Sequence, residues 1–160
     1  FFYWVNQMNN RILRILLPER ADNKHHPGAV PVTVFAVISL LGVARSLIHI
    51  FAADGGAGSI AGLDLNQPGA DGIIFAFGLW GSSQLLLALV QLVVLLRYRS
   101  LIPLMYLVII FEILLRMLIG VIKTVAFSHT PPGAVGNWII LGLALIMLGL
   151  CLASTKQDKV

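Results

Sequence analysis

The sequence predicts an all-α, polytopic membrane protein: four transmembrane helices in an antiparallel bundle, preceded by a short amphipathic helix lying in the membrane interface. Three observations carry that prediction. Of the 160 residues, 58% are hydrophobic and only 11% charged, against about 25% charged in a soluble domain, and mean hydropathy is +0.91. So little charge cannot cover a water-facing surface, and lipid must solvate most of the chain. The apolar residues gather into four runs long enough to cross a bilayer, for which about 20 helical residues suffice. Eight of the eleven Lys and Arg stand in the flanks and links that share one side of a four-span chain.

Residues 1–28 form the leading segment. Within residues 1–17, Met8, Ile12, Ile15 and Leu16 share a helical face, and Asn10, Arg11 and Arg14 lie off it. Aromatics at 1–4 beside such a basic amphipathic turn predict a helix in the interface plane, ended by Pro18. Arg11 and Arg14 follow the opening aromatics rather than precede them, so no secretory signal is expected. Residues 19–28 read as a polar linker.

The transmembrane domain occupies residues 29–160. Its first span is predicted over 29–53, with Pro31 near the start, where a helix tolerates proline. Residues 54–71 are rich in glycine, carry Asp54, Asp64 and Asp71 and no Lys or Arg, and read as an irregular, flexible connection. The second span covers 72–96. Arg97 to Ser100 is so short a link that the third span, 101–127, must return beside the second as a hairpin. Residues 128–136 are a Pro/Gly turn, the fourth span covers 137–153, and a polar tail follows. Arg11, Arg14, Arg20 and Lys24 precede the first span, Arg97 and Arg99 join the second to the third, and Lys156 and Lys159 end the chain. With four spans all of these fall on one side. The excess of Lys and Arg on cytoplasmic loops makes that side the cytoplasm, and the expected location is a bacterial inner (plasma) membrane with both termini inside.

The formal charge of +4 does not signify nucleic acid, because the basic residues flank apolar runs instead of lining an exposed basic face. Cys151 lies alone in the last span and reads as a small apolar packing residue. No metal, cofactor or catalytic set is predicted: the sequence has no hydrolase elbow, zinc-protease helix, C-x-x-C pair or phosphate-binding glycine loop. His25 and His26 are adjacent and point different ways on regular structure.

What the spans do carry is a set of polar residues, and a charge at mid-span costs about 2.5–3.5 kcal/mol on insertion scales. Arg45 and His49 are four apart, as are Glu112 and Arg116, so each pair shares a helix face. Gln84 and Gln91 share a face of the second span, and Lys123 continues the Glu112–Arg116 stripe outward. At about 1.5 Å per residue, Gln84 and Glu112 lie roughly 17–18 Å from the cytoplasmic ends of their helices, and Arg45 and Arg116 roughly 22–23 Å. Arg45, Gln84, Glu112 and Arg116 are therefore expected in one layer, with His49 above it near the outer interface and Gln91 well below. Trp80 is deep enough to line a cavity, simple packing being the plainer reading; Tyr98 and Trp138 are interface anchors. Small residues at Gly78, Ser82, Gly142 and Gly149 allow close helix approach in lipid.

The first reading of the polar layer is structural. Glu112 neutralises an arginine, Gln84 satisfies the remaining donors, and the chain is an accessory or structural subunit of a larger membrane complex, or a homo-oligomer, without catalysis of its own. The second reading is a site. Two arginines against one carboxylate leave positive charge in a low-dielectric place, which a small amphipathic anion, a lipid or a quinone would compensate in a membrane-embedded binding or transport protein. The partners implied are the lipid bilayer, other membrane subunits or copies of the chain, and a bound lipid or quinone.

Overall fold

The computed structural model describes residues 12–23 and 27–154. Among these the chain is helical, with no strand. A short helix, α1, covers residues 12–16 and stops before Pro18. It is the described part of the expected leading helix; residues 1–11, the His25–His26 pair and Lys156 and Lys159 lie outside the described residues. Four long helices follow: α2 (Ala29–Phe51), α3 (Ala70–Arg97), α4 (Ile102–Ile122) and α5 (Pro132–Ser154), with a 3-10 turn, Arg99–Leu101, between α3 and α4. Each is long and apolar enough to cross a membrane, and the chain is an integral membrane protein. Only 17–28% of each apolar stretch is buried inside the bundle. The other leucines, valines and isoleucines face outward, where lipid, as apolar as they are, makes their exposure neutral.

Two boundaries differ from those expected. The third helix ends at Ile122, five residues early, because Lys123 leaves helical geometry at φ −119°, ψ 83°. Lys123 is exposed and extends no helical stripe. The fourth helix starts at Pro132, five residues before Asn137. Proline suits a first helical position, where its missing N–H would have had no partner. Gly133 and Gly136 then sit inside the helix, at a cost of about 1 kcal/mol each relative to alanine. The consequence is that Asn137 rides on the second turn of α5, facing α4.

The helices run antiparallel in chain order, and the closest pairs are α2 with α3 and α4 with α5. The α2–α3 approach depends on Gly81: a Cβ there would lie 2.6 Å from the Cβ of His49. The short link does turn α4 back beside α3, yet these two touch less closely than expected of a tight hairpin and meet through Gln84 and Glu112. The linker before α2 closes the basic end. Ser100 donates its amide to the Asp22 carbonyl at 3.1 Å, the Asp22 amide donates to the Ser100 hydroxyl at 3.0 Å, and Asn23 bonds both the Leu96 carbonyl and the Arg99 amide.

Packing is uneven along the bundle axis. Phe35, Ile102, Tyr106, Ile109, Ile113, Ala144, Met147 and Cys151 form a continuous buried core nearer the basic end. Tyr106 is fully buried, stacks edge-on against Phe35 with ring centroids 5.7 Å apart, and donates its hydroxyl to the Pro31 carbonyl at 2.6 Å. Towards the opposite end the helices part around a cavity.

Candidate binding site: a cationic cavity under a loop cap

The cavity measures about 710 Å³ and lies towards the end away from the basic flanks. Its floor comes from the polar stripes of the four helices: Arg45 and His49 of α2, Phe77 and Trp80 of α3, Arg116 of α4 and Asn137 of α5. Its cover comes from the connection after α2, at Ile60 and Ala61, from the connection after α4, at Phe127 and His129 to Pro131, and from the first turn of α5.

Of the residues expected to meet, Gln84, Glu112 and Arg116 form one hydrogen-bonded chain. Gln84 Nε2 donates to Glu112 Oε1 at 2.7 Å, Arg116 Nη2 is ion-paired to the same oxygen, and Arg116 Nη1 donates to Asn137 Oδ1 at 3.0 Å. Glu112 and Gln84 stand behind the cavity wall and orient Arg116, which lines it. Arg45 joins this layer through a ring instead of the carboxylate. Its guanidinium carbon lies 4.7 Å from the centre of the Trp80 ring, and that of Arg116 lies 5.6 Å from the same centre. The indole beside both offers negative π density to cations.

His49 is placed differently from the expected interface-facing ring. It is 6% exposed and packed against Trp80 and Phe77, with ring centroids 4.8 and 5.6 Å away. Its Nδ1 lies 2.7 Å from the Gly55 carbonyl, which only accepts, so Nδ1 carries the proton. Its Nε2 lies 3.3 Å from Arg45 Nε, which only donates, so Nε2 is the acceptor. The partners select the neutral Nδ1–H imidazole. Gln91 is buried well down α3, outside the cavity, as its depth implied.

The connection after α2, read as flexible, is a bonded cap. Asp54 Oδ1 accepts the Gly56 amide at 2.8 Å and Oδ2 the Ser59 amide at 2.6 Å. The Ser59 amide, then that of Gly56, holds the carboxyl down at about 2. Gly55, Gly56 and Gly62 adopt positive φ, which glycine reaches without strain. This cap also clasps the connection after α4. The Ser128 amide donates to the Gly62 carbonyl at 2.9 Å, and His129 Nε2 donates to the Ile60 carbonyl at 3.2 Å. Gly62 leaves no room for more: a Cβ there would meet the His129 ring and the Ser128 hydroxyl at 2.7 Å.

Sequence reasoning missed one site member and undervalued two. Trp80 precedes Gln84 by four, so its spacing already placed it on the polar stripe of α3. Asn137 was hidden by the late start assigned to the fourth span. The Gly55 carbonyl is a backbone contact that no residue pattern encodes.

Chemically, the floor is a donor surface. Among the described residues Arg45 bonds only through Nε, leaving Nη1 and Nη2 unused, and Asn137, oriented by Arg116, keeps its amide nitrogen as a donor. Both His49 nitrogens are engaged. No group of three or more His, Cys, Asp or Glu among the described residues is placed to hold a metal ion. No protein-family model, curated protein or solved structure matches the sequence.

Proposed function

We propose that the protein binds, within the membrane, a small amphipathic molecule whose head group accepts hydrogen bonds: an amphipathic anion, a lipid or a quinone, held for storage, presentation or transport. The observation that carries this reading is Arg45. Arg45 lines the cavity and its Nη donors bond no described residue, where a purely structural network would have closed on them. A cavity of about 710 Å³ lies within the roughly 300–1,000 Å³ of small-ligand pockets, and aromatic walls with a few convergent polar groups are their usual lining. Native mass spectrometry of the detergent-released protein should show a retained small molecule, lost on Arg45→Ala. A wild-type protein that flies clean from every mild detergent, with the fold intact, overturns the reading.

A second reading rests on α5. Its outward face carries Gly142 and Gly149, around which nothing lies within 4 Å of an added Cβ. Small residues in lipid favour close helix contact, which suits an accessory subunit of a larger membrane complex or a homo-oligomer. Co-purification under mild extraction tests it: a single monomeric species removes this role and leaves the binding reading standing.

We also infer the orientation. The linker docks Asp22 and Asn23 onto the Arg97–Ser100 link, so Arg20, Arg97 and Arg99 share one end, the cytoplasmic one by the positive-inside rule, and the cavity lies in the outer half. In a Cys151→Ala background, a membrane-impermeant maleimide should label Ser128→Cys but not Asn23→Cys in intact cells. The reverse pattern inverts the topology.

A further inference from the structure

The cavity's floor constrains its ligand more narrowly than the proposed function does. Building on that reading, we propose that the occupant is a single-chain carboxylate of the fatty-acid kind, gripped end-on by Arg45. Three features select it. The first is charge: two guanidinium groups face one carboxylate, Glu112, which is committed to Arg116 and Gln84, so one positive charge remains at Arg45. A monoanion cancels it. A quinone or alcohol leaves it uncompensated, and a phosphomonoester, carrying about two charges near neutrality, overshoots.

The second feature is donor geometry. Arg45 Nε is taken by His49 Nε2, which closes the side-on fork of the guanidinium. The Nη1–Nη2 pair remains, and its spacing matches the two oxygens of a carboxylate in a bidentate contact. Trp80 lies against the guanidinium and limits the directions in which that fork can turn. The third feature is hydrogen-bond polarity. The unused groups at the floor, Arg45 and Asn137, both donate. An ionised carboxylate only accepts, so it leaves nothing unsatisfied. The ethanolamine or glycerol head of a phospholipid brings donors of its own, which the unused nitrogens of Arg45 and Asn137 cannot accept. The walls beyond, with Phe77, Met117, Phe127 and Trp138, are apolar and suited to one hydrocarbon body.

Trp80 and Trp138 give the experiment its signal. A bromine-labelled long-chain fatty acid, its methyl ester, a bromine-labelled phosphatidylglycerol and a short-chain ubiquinone analogue are titrated into the purified protein in a neutral sugar detergent, reading tryptophan quenching. The acid should quench saturably and bind about tenfold or more tightly than its ester, as expected for exchanging a charge-assisted pair of hydrogen bonds for a neutral contact. Arg45→Gln should erase the acid–ester difference, Arg45→Lys should keep part of it, and Trp80→Phe should remove most of the quenched emission. The acid–ester comparison is made on the wild-type chain, so it does not depend on any variant folding. Equal binding of acid and ester, or preferential quenching by the phospholipid or quinone, overturns the carboxylate assignment and leaves the binding function in place. No saturable quenching by any probe overturns both.

Discussion

A Cβ at Gly81 would fall 2.6 Å from the Cβ of His49 and 3.2 Å from the Ser46 carbonyl oxygen. Neither neighbour can yield, since one is at the root of a buried side chain and the other is backbone. Gly81→Ala must therefore push α3 off α2 and is expected to destabilise the protein by about 1–3 kcal/mol, the usual result of overpacking. Gly72→Ala, in the same helix with nothing within 4 Å, should be neutral or slightly stabilising through helix propensity. Denaturation in mixed micelles of the two variants tests the contrast, and equal stabilities would show that α2 and α3 are not in the contact described. Glu112 poses a different residue-scale question, because one of its oxygens serves both Gln84 and Arg116. Glu112→Gln removes the negative charge and leaves two arginines beside Trp80 with no carboxylate to offset them. A loss of about 1–3 kcal/mol is expected, above the average of about 0.6 for a neutral interhelical hydrogen bond in lipid because a charge is left uncompensated. Arg116→Gln in the same background should recover part of it, and a double-mutant cycle showing no coupling would deny the pair any energetic role.

The cap over residues 54–62 makes its prediction at the scale of an element. Its Asp54 carboxyl is held at about 2, below the ordinary 3.8, by the Ser59 and Gly56 amides. A depressed pKa means the folded cap prefers the ionised form. The stabilisation is thus fully present above about pH 4 and is lost as pH falls from there through about 2. Because Asp54 is half-buried in a loop and bonds only loop amides, the effect should stay local: Asp54→Ala should speed amide exchange at Gly56 and Ser59 roughly three- to tenfold while α2 to α5 keep their protection. Protection of those two amides unchanged in the variant would show that the carboxylate does not hold the loop. The cap also marks where sequence reading ends. Hydropathy, flanking arginines and i, i+4 spacing made four spans and the Arg45–His49 and Glu112–Arg116 pairs legible, since each depends on local periodicity. Glycine-rich composition marked residues 54–71 only as non-helical. Whether such a segment closes depends on which carbonyl meets His49 and which meets Ser128, and those contacts are non-local. The helix ends failed for a related reason: Pro131, Pro132 and Gly133 are as suited to a turn as to a helix start, and the choice set whether Asn137 reached Arg116.

At the scale of the whole molecule, the bundle is solid at its basic end and hollow at the other, and its stability should be distributed accordingly. Tyr106 is fully buried among Phe35, Ile102 and α5 and ties α4 to the first turn of α2 through the Pro31 carbonyl. Phe127, in the cover of the cavity, is 46% exposed and lies outside any helix. In water both truncations would lose a transfer term. Here lipid is as apolar as the interior, so that term largely falls away and the loss of packing contacts decides. Tyr106→Ala opens a void inside a closed core and strands the Pro31 side of a hydrogen bond; about 2–4 kcal/mol is expected, at the lower end of large-to-small core changes. Tyr106→Phe keeps the ring and should cost about 1 kcal/mol for the hydroxyl alone. Phe127→Ala only widens an existing cavity and should cost less than about 1 kcal/mol. Amide exchange should follow the same gradient, slowest along the Phe35–Tyr106–Ile109 layer and fastest in the cap and the first turn of α5, because local opening is easiest where few side chains are enclosed. A binding site that must admit and release a molecule from the membrane needs its looser end where the cavity is. Equal costs for Tyr106→Ala and Phe127→Ala, or the strongest protection at the capped end, would mean that the hollow half is as tightly held as the core and would remove the structural basis for ligand entry there.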